Sequence, residues 1–397
     1  RRIDELGMVG RKGDGSCCRL ALTTEDGAGR DLVVSWMREL GLEIRIDQVG
    51  NIVGLRKGNG GAPVMTGSHI DTVATGGKYD GNLGVLAGLE VIRTLNEANI
   101  ATRRPIAVAV FTDEEGSRFQ PDMLGSLVYA GGMEVETALD TRAIDGARFG
   151  DELTRIGYAG DMVPGAIRPR SFVELHVEQG PILDAAGESL GAVVDLQGIS
   201  WQEITLRGVP NHAGTTPMYL RRDAGYGAAR TACFVRELTK EIGGTQVGTV
   251  GRVSLVPDLV NVVPGEARMT VDLRNTDESL LRKAERRLAE FLREIADSEK
   301  LEISSRQLSR FEPVIFSEEV VEVIEKAAAL LGAPVRRMTS GAGQDAQMFV
   351  RMCPTAMIFV PSLGGISHNP AERTAPEHVE LGGNVLLHTL LGLSEGD

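Results

Sequence analysis

Apolar and polar positions along this chain follow two rhythms, and a change of rhythm marks a change of element. From Asp31 to Leu40 (DLVVSWMREL) apolar residues recur at helical spacing, with Gly41 placed to cap the end. EIRIDQVGNIVGLRKG then alternates like a hairpin, with Gly50-Asn51 at its turn. Val64-Met65 reads as the end of a buried strand, and a helical apolar run starts at Val85. Arg104 to Thr112 (RPIAVAVFT) is a continuous apolar run with β-branched residues, which predicts a central strand of a sheet covered on both faces. FVELHV (172–177) and TAMIFV (355–360) are further strands of that kind. Helices are predicted at Val320–Leu331 and His378–Leu393.

Around Leu196–Ser200 the pattern shifts. WQEITLRGV alternates as a strand, Arg221–Leu238 is an amphipathic helix, Thr249–Val256 and Ala267–Leu273 are strands, and Asp277–Lys300 is a long charged helix. This β-α-β-β-α-like module reads as a small domain with a one-sided sheet, inserted into a larger one. The expected organisation is α/β: a large domain with a mixed sheet between helices, from 1–197 and 312–397, with an α+β insert at 198–311. No repeat or low-complexity tract interrupts it.

The chain has 397 residues, 42% hydrophobic and 24% charged, so there is ample material for two cores. A formal net charge of −13 sets electrostatics against nucleic acid and anionic membranes as partners. Four scattered cysteines (Cys17, Cys18, Cys233, Cys353) form neither a C-x-x-C pair nor a disulfide framework. With no export signal and no long apolar run, this points to a cytoplasmic protein without a membrane span.

Candidate chemistry gathers at the ends of the predicted strands. His69 and Asp71 lie two apart where a strand ends, hence on one face, so Asp71 can accept the second ring N–H of His69. Asp80 follows in a turn (Tyr79-Asp80-Gly81-Asn82). Asp113-Glu114-Glu115 closes the central strand, His176 lies near the end of FVELHV, and His368 lies in the loop GGISHNP. Strand C-terminal ends are where α/β sheets carry ligand sites. Imidazoles and carboxylates together suit Zn, Mn, Co or Ni, and one aspartate can bridge two ions. Of two adjacent glutamates, one can bind metal while its neighbour stays free as a base. His378 and His388 have no partner motif and are read as structural.

GSHIDTVATGGKYDG, FTDEEGSRF, ELHVEQGPIL, NHAGTTPM, NVVPGEA, SGAGQDAQ and GGISHNPAERT, in this order over nearly the whole chain, resemble the hydantoinase/carbamoylase branch of the M20-type dinuclear-metal amidohydrolases and peptidases. That branch includes N-carbamoyl-L-amino-acid hydrolases, β-ureidopropionases and allantoate amidohydrolases. The resemblance implies a two-ion site, with His69, Asp80 and His176 on one divalent ion and Asp80, Glu115 and His368 on the other. It implies Glu114 as general base and Asp71 as the group that orients His69. The insert would be a lid and the interface of a homodimer, with His212 reaching the partner's active site to polarise the scissile carbonyl. Asn261 and Arg274 would bind the carboxylate of a small-molecule substrate, and Gln179 would line the pocket. Independently of the family, Arg274 offers a bidentate fork for a carboxylate, and Gly343 lets backbone N–H groups approach a ligand. The expected substrate is an N-carbamoyl-L-amino acid, with allantoate or an N-acyl amino acid as the alternative. A non-catalytic binding protein is a third possibility that the retained Glu114 and all five ligands argue against. Two positions depart from the family pattern: Gln344 stands where family members usually have histidine, and Ile199-Ser200 where many have Gln-Arg.

Overall fold

The computed structural model describes residues 1–396, which divide into two compact units, one of residues 1–194 with 315–396 and one of Asp195–Val314. In the first unit the strands of a nine-stranded mixed sheet run in the order Glu43–Ile46, Ile52–Arg56, Ile106–Phe111, Val64–His69, Ser171–Val177, Thr355–Val360, Gly191–Leu196, Val314–Ile315, with Arg336–Ser340 beside Gly191–Leu196. The four central strands are parallel to one another and buried at every position. That double-sided burial is why they read as unbroken apolar runs. Gly67 lets two of them approach: a Cβ there would lie 2.3 Å from the Ala109 carbonyl oxygen.

Helices Asn82–Glu97 and Pro376–Glu395 pack against these strands. The helix expected over Asp31–Leu40 begins earlier, spanning Thr24–Glu39, with the Thr23 side chain accepting from Asp26 N–H. Its first turns (TEDGAGR) lack an apolar stripe and were illegible by periodicity; they are held by tertiary contacts. Asp26 pairs with Arg30 at 2.8 Å with both side chains buried, and Arg30 also donates to the Gly50 carbonyl. On the sheet's other side, the short helix Asp345–Phe349 is anchored by Phe349, whose ring stacks on Phe172 with centroids 4.1 Å apart.

The second unit is an antiparallel sheet in the order Glu302–Phe311, Gly198–Arg207, Glu266–Asn275, Val247–Val256. Helices Ala224–Ile242 and Glu278–Glu299 cover one face, with Phe234 and Phe291 stacked 4.0 Å apart between them. Glu266–Asn275 alternates buried and partly exposed positions, as a strand covered on one face must. Ile199 and Ser200 are buried strand residues of this sheet. Among the described residues no helix is long and apolar enough to cross a membrane.

Candidate metal centre

Three parallel neighbours deliver their chemistry at the same edge. His69 is the last residue of Val64–His69, Glu114 and Glu115 follow Ile106–Phe111, and His176 is the penultimate residue of Ser171–Val177. Asp80 comes back to this edge because the chain turns sharply before helix Asn82–Glu97. Gly81 makes the turn with φ +63°, and a Cβ there would sit 2.4 Å from the His69 ring. His368 arrives on the loop before the last helix, also with a left-handed backbone (φ 54°). Positive φ at a non-glycine residue is strained, and such strain collects at functional sites.

Two ligand groups result, His69–Asp80–His176 and Asp80–Glu115–His368, hinged on Asp80. His176 Nε2 is 3.2 Å and His69 Nε2 3.9 Å from Asp80 Oδ1. On the other side, His368 Nε2 is 3.4 Å from Asp80 Oδ2 and 3.2 Å from Glu115 Oε2. Glu114 belongs to neither group; its Oε2 lies 3.4 Å from His69 Nε2.

The ring tautomers follow from what lies behind the rings. His69 Nδ1 is 2.9 Å from the Asp71 carbonyl oxygen and His176 Nδ1 is 2.8 Å from the Val177 carbonyl oxygen. A carbonyl only accepts, so each Nδ1 carries a hydrogen and each ring turns its Nε2 toward Asp80, the atom a metal-bound imidazole would offer. Burial opposes protonation of His69 and brings its pKa down to about 4. Among the described residues Asp80 Oδ1 is itself buried without a hydrogen-bond partner. The Gly81 N–H reaches His176 Nε2 at 3.1 Å, and the imidazole and carboxylate lone pairs that converge around Asp80 Oδ1 fit a divalent cation. The nitrogen and oxygen donor set suits zinc or a similar first-row metal.

The electrostatics agree. Burial, and then the charges of Asp345, Glu115, Asp71 and Asp80, push the Glu114 carboxyl well above its ordinary range. Burial likewise raises Asp71 to about 8, with Asp26 and Glu115 adding to the shift. The Glu115 hydrogen bond raises His368 to about 9, against its partial burial. Acidic groups buried this closely are stabilised as anions by positive charge placed among them.

Asp71 differs from expectation in detail. The acceptor for His69 is its main-chain carbonyl, not its carboxylate, which is 3.8 Å from Nδ1. The carboxylate instead accepts the backbone N–H groups of Glu114 and Glu115, at 3.3 Å each. The turn after His69 brings the carbonyl, and not the side chain, behind the ring. Asp71 therefore fixes the backbone that carries both glutamates.

Sequence reasoning passed over Glu372 and Ser367, although both lie in the quoted GGISHNPAERT. Glu372 Oε1 accepts the backbone N–H of Tyr79 (2.9 Å) and of Asp80 (3.0 Å). Ser367 Oγ lies 2.9 Å from Asp80 Oδ2 and 3.3 Å from Glu372 Oε2. The loop that carries His368 thus also holds the turn that carries Asp80. Gln179 donates to Asp80 Oδ2 at 3.0 Å. Gly343 packs on Met123, where a Cβ would sit 2.9 Å from the methyl carbon.

The remaining expected residues belong to the second unit. His212 is exposed on the short strand Asn211–His212, paired with Val262–Val263, and its Nδ1 accepts from Gly214 N–H at 2.9 Å. Asn261 is beside it, its carbonyl accepting from Ala213 N–H at 2.9 Å. Arg274 is elsewhere. It lies eight residues along Glu266–Asn275 from the end next to this hairpin, roughly 26 Å at strand rise. Its guanidinium engages Asp272 at 2.9 Å. The second unit of one copy does not bring Arg274 and His212 together.

Two donor groups sharing one aspartate are compatible with a dinuclear centre of the kind that metal-dependent hydrolases use. Residues 65–392 match the family described as peptidase family M20/M25/M40, and the chain belongs to that family. It is 40% identical to an N-carbamoyl-L-amino-acid amidohydrolase of Rhizobium meliloti, over 98% of this chain and 94% of that protein. It is 39% identical to the allantoate amidohydrolase of Escherichia coli, over 85% and 83% of the two chains. A crystal structure of a hydantoinase/carbamoylase family amidase from Burkholderia multivorans superposes with a TM-score of 0.95 at 44% identity, covering 99% of this chain and 96% of that one.

Proposed function

We propose that the protein is a metal-dependent amidohydrolase that cleaves N-carbamoyl-L-amino acids to the amino acid, CO2 and ammonia. The observation that carries the hydrolytic part is Glu114: a buried carboxyl beside two ligand groups and a member of neither. The relatives' substrates support the ureido part.

His69, Asp80 and His176 would hold one divalent ion and Asp80, Glu115 and His368 a second, of zinc, manganese, cobalt or nickel. When bound, the ions polarise the scissile carbonyl and make water acidic near neutral pH. Glu114 takes a proton from the attacking water and returns it to the leaving nitrogen. The water oxygen bonds to the ureido carbon, the bond to the amino acid's nitrogen breaks, and the carbamate falls to CO2 and ammonia. Asp71 keeps Glu114 and Glu115 in place through their N–H groups.

Gln179 and Gly343 in the first unit, and His212, Asn261 and Arg274 in the second, are assigned to substrate. The family resemblance assigns His212 to the active site of a second copy, which makes the protein a homodimer in this reading; the separation of Arg274 from His212 along one copy's second unit is compatible with it. A cytoplasmic location completes this reading.

The Escherichia coli relative favours allantoate as a second reading. The test is a panel of N-carbamoyl-L-amino acids, allantoate and N-acetyl amino acids offered to metal-loaded protein, with ammonia and free amine both measured. Turnover of carbamoyl substrates above the others is expected. Preference for allantoate selects the second reading, and no release from any ureido compound overturns both.

A further inference from the structure

Asp80 Oδ2 begins a chain of two amides. Gln179 Nε2 donates to it at 3.0 Å, and Gln344 Nε2 donates to Gln179 Oε1 at 2.6 Å. The direction of this chain is forced. A carboxylate only accepts, so the Gln179 amide must give its NH2 to Asp80 and turn its oxygen outward. That oxygen then demands the NH2 of Gln344; reversing Gln344 would set two carbonyl oxygens against each other. The relay therefore ends in an acceptor, Gln344 Oε1, which is buried and has no hydrogen-bond partner among the described residues. Gln347 Oε1, three residues on, is buried and unpartnered too.

Neither amide is loosely held. Gln179 has a left-handed backbone (φ 58°), and its N–H donates to Ser362 Oγ at 3.0 Å. Gln344 precedes the helix that Phe349 anchors on Phe172, and the next N–H but one, that of Ala346, donates to buried Glu174 at 2.8 Å. A buried, oriented acceptor left unmatched by the protein calls for a donor from elsewhere.

We propose that Gln344, oriented by Gln179, is a specificity-determining residue whose Oε1 accepts an N–H of the substrate's ureido group. The site would thereby select carbamoylated over acylated amines, since an acetyl methyl cannot donate where the ureido group has its terminal NH2. This rests on the ureido reading above. It also gives the Gln344 departure a meaning. An imidazole at this position would change between donor and acceptor with pH, whereas an amide locked by Gln179 accepts at every pH at which Asp80 is ionised.

The test uses full-length, metal-loaded protein and a matched pair, the N-carbamoyl and N-acetyl derivatives of one L-amino acid. The wild type is expected to favour the carbamoyl compound by more than about tenfold in kcat/KM, as sites built for an N–H donor do. Gln344→Met should shrink that preference by about tenfold or more, chiefly through KM, with metal content retained. Calorimetric binding of both compounds to the Glu114→Gln and Glu114→Gln/Gln344→Met proteins should show the same narrowing without turnover. Gln344→His, which keeps a partner for Gln179, guards against misfolding of the first variant. Its carbamoyl preference should vary across pH 6–8 where that of the wild type is flat. An unchanged preference in both variants, or equal losses on both compounds, overturns the inference and leaves the ureido reading standing. A wild type that hydrolyses no ureido compound removes both.

Discussion

Glu372 offers the sharpest test of how the centre is held, because it touches no proposed reacting group. Its Oε1 accepts two backbone N–H groups, from Tyr79 and Asp80, and it is 6% exposed. In Glu372→Ala both donors lose their partner in a largely buried setting. Leaving a buried donor unsatisfied costs about 1–3 kcal/mol, so the pair predicts a loss of about 2–6 kcal/mol, less whatever water recovers. The same two bonds set where Asp80 sits, and Asp80 is common to both ligand groups. Loss of a partner behind a metal ligand typically weakens metal binding 10–100-fold. Competition titration with a chromophoric chelator should read that weakening directly, and denaturant unfolding the stability loss. Glu372→Gln retains an amide oxygen for the two N–H groups and should lie much nearer the wild type in stability. An Ala variant with wild-type metal affinity and unfolding midpoint would refute the account of Asp80 as a residue positioned from the loop 367–372.

Glu114→Gln should reduce turnover by several orders of magnitude while elemental analysis finds the wild-type metal content; retained turnover removes the base assignment. Gly81→Ala puts a methyl 2.4 Å from the His69 ring at φ +63°, so metal binding should weaken more than about tenfold; an unaltered titration would contradict the packing described. Removing metal with a chelator should abolish activity and lower the unfolding temperature, and divalent ions should restore both. The chelated protein should also lose stability as pH rises. Asp71, raised to about 8, and Glu372, raised to about 7, are protonated in the folded chain where the unfolded chain has released the proton. Their contribution is full below the unfolded carboxylate pKa of about 4 and is lost as pH climbs through the folded values, at up to about 1.4 kcal/mol per pH unit per group. Unfolding at pH 6, 7 and 8 checks this; a chelated protein that gains stability over that range refutes the sign.

Much of the fold could be read from pattern alone. The parallel strands are legible because both faces are covered, and the second unit's helices because one stripe is apolar. The candidate ligands were legible because strand ends put chemistry at one edge. Periodicity missed the start of helix Thr24–Glu39, where a buried ion pair replaces an apolar stripe. It also missed Glu372, because a carboxylate that caps someone else's backbone leaves no spacing signal.

Residue type and order by themselves determined which groups are available: three imidazoles and the acids that accompany them, at the ends of apolar runs or in the turns and loops beyond them. Tertiary structure alone decided how they are used. It put the Asp71 carbonyl behind His69 and sent the carboxylate to the Glu114-Glu115 backbone. It also set the polarity of the Asp80–Gln179–Gln344 relay. The physical reason is that hydrogen bonds are directional over about 3 Å, whereas residues brought within that reach are here separated by up to hundreds of positions in the chain.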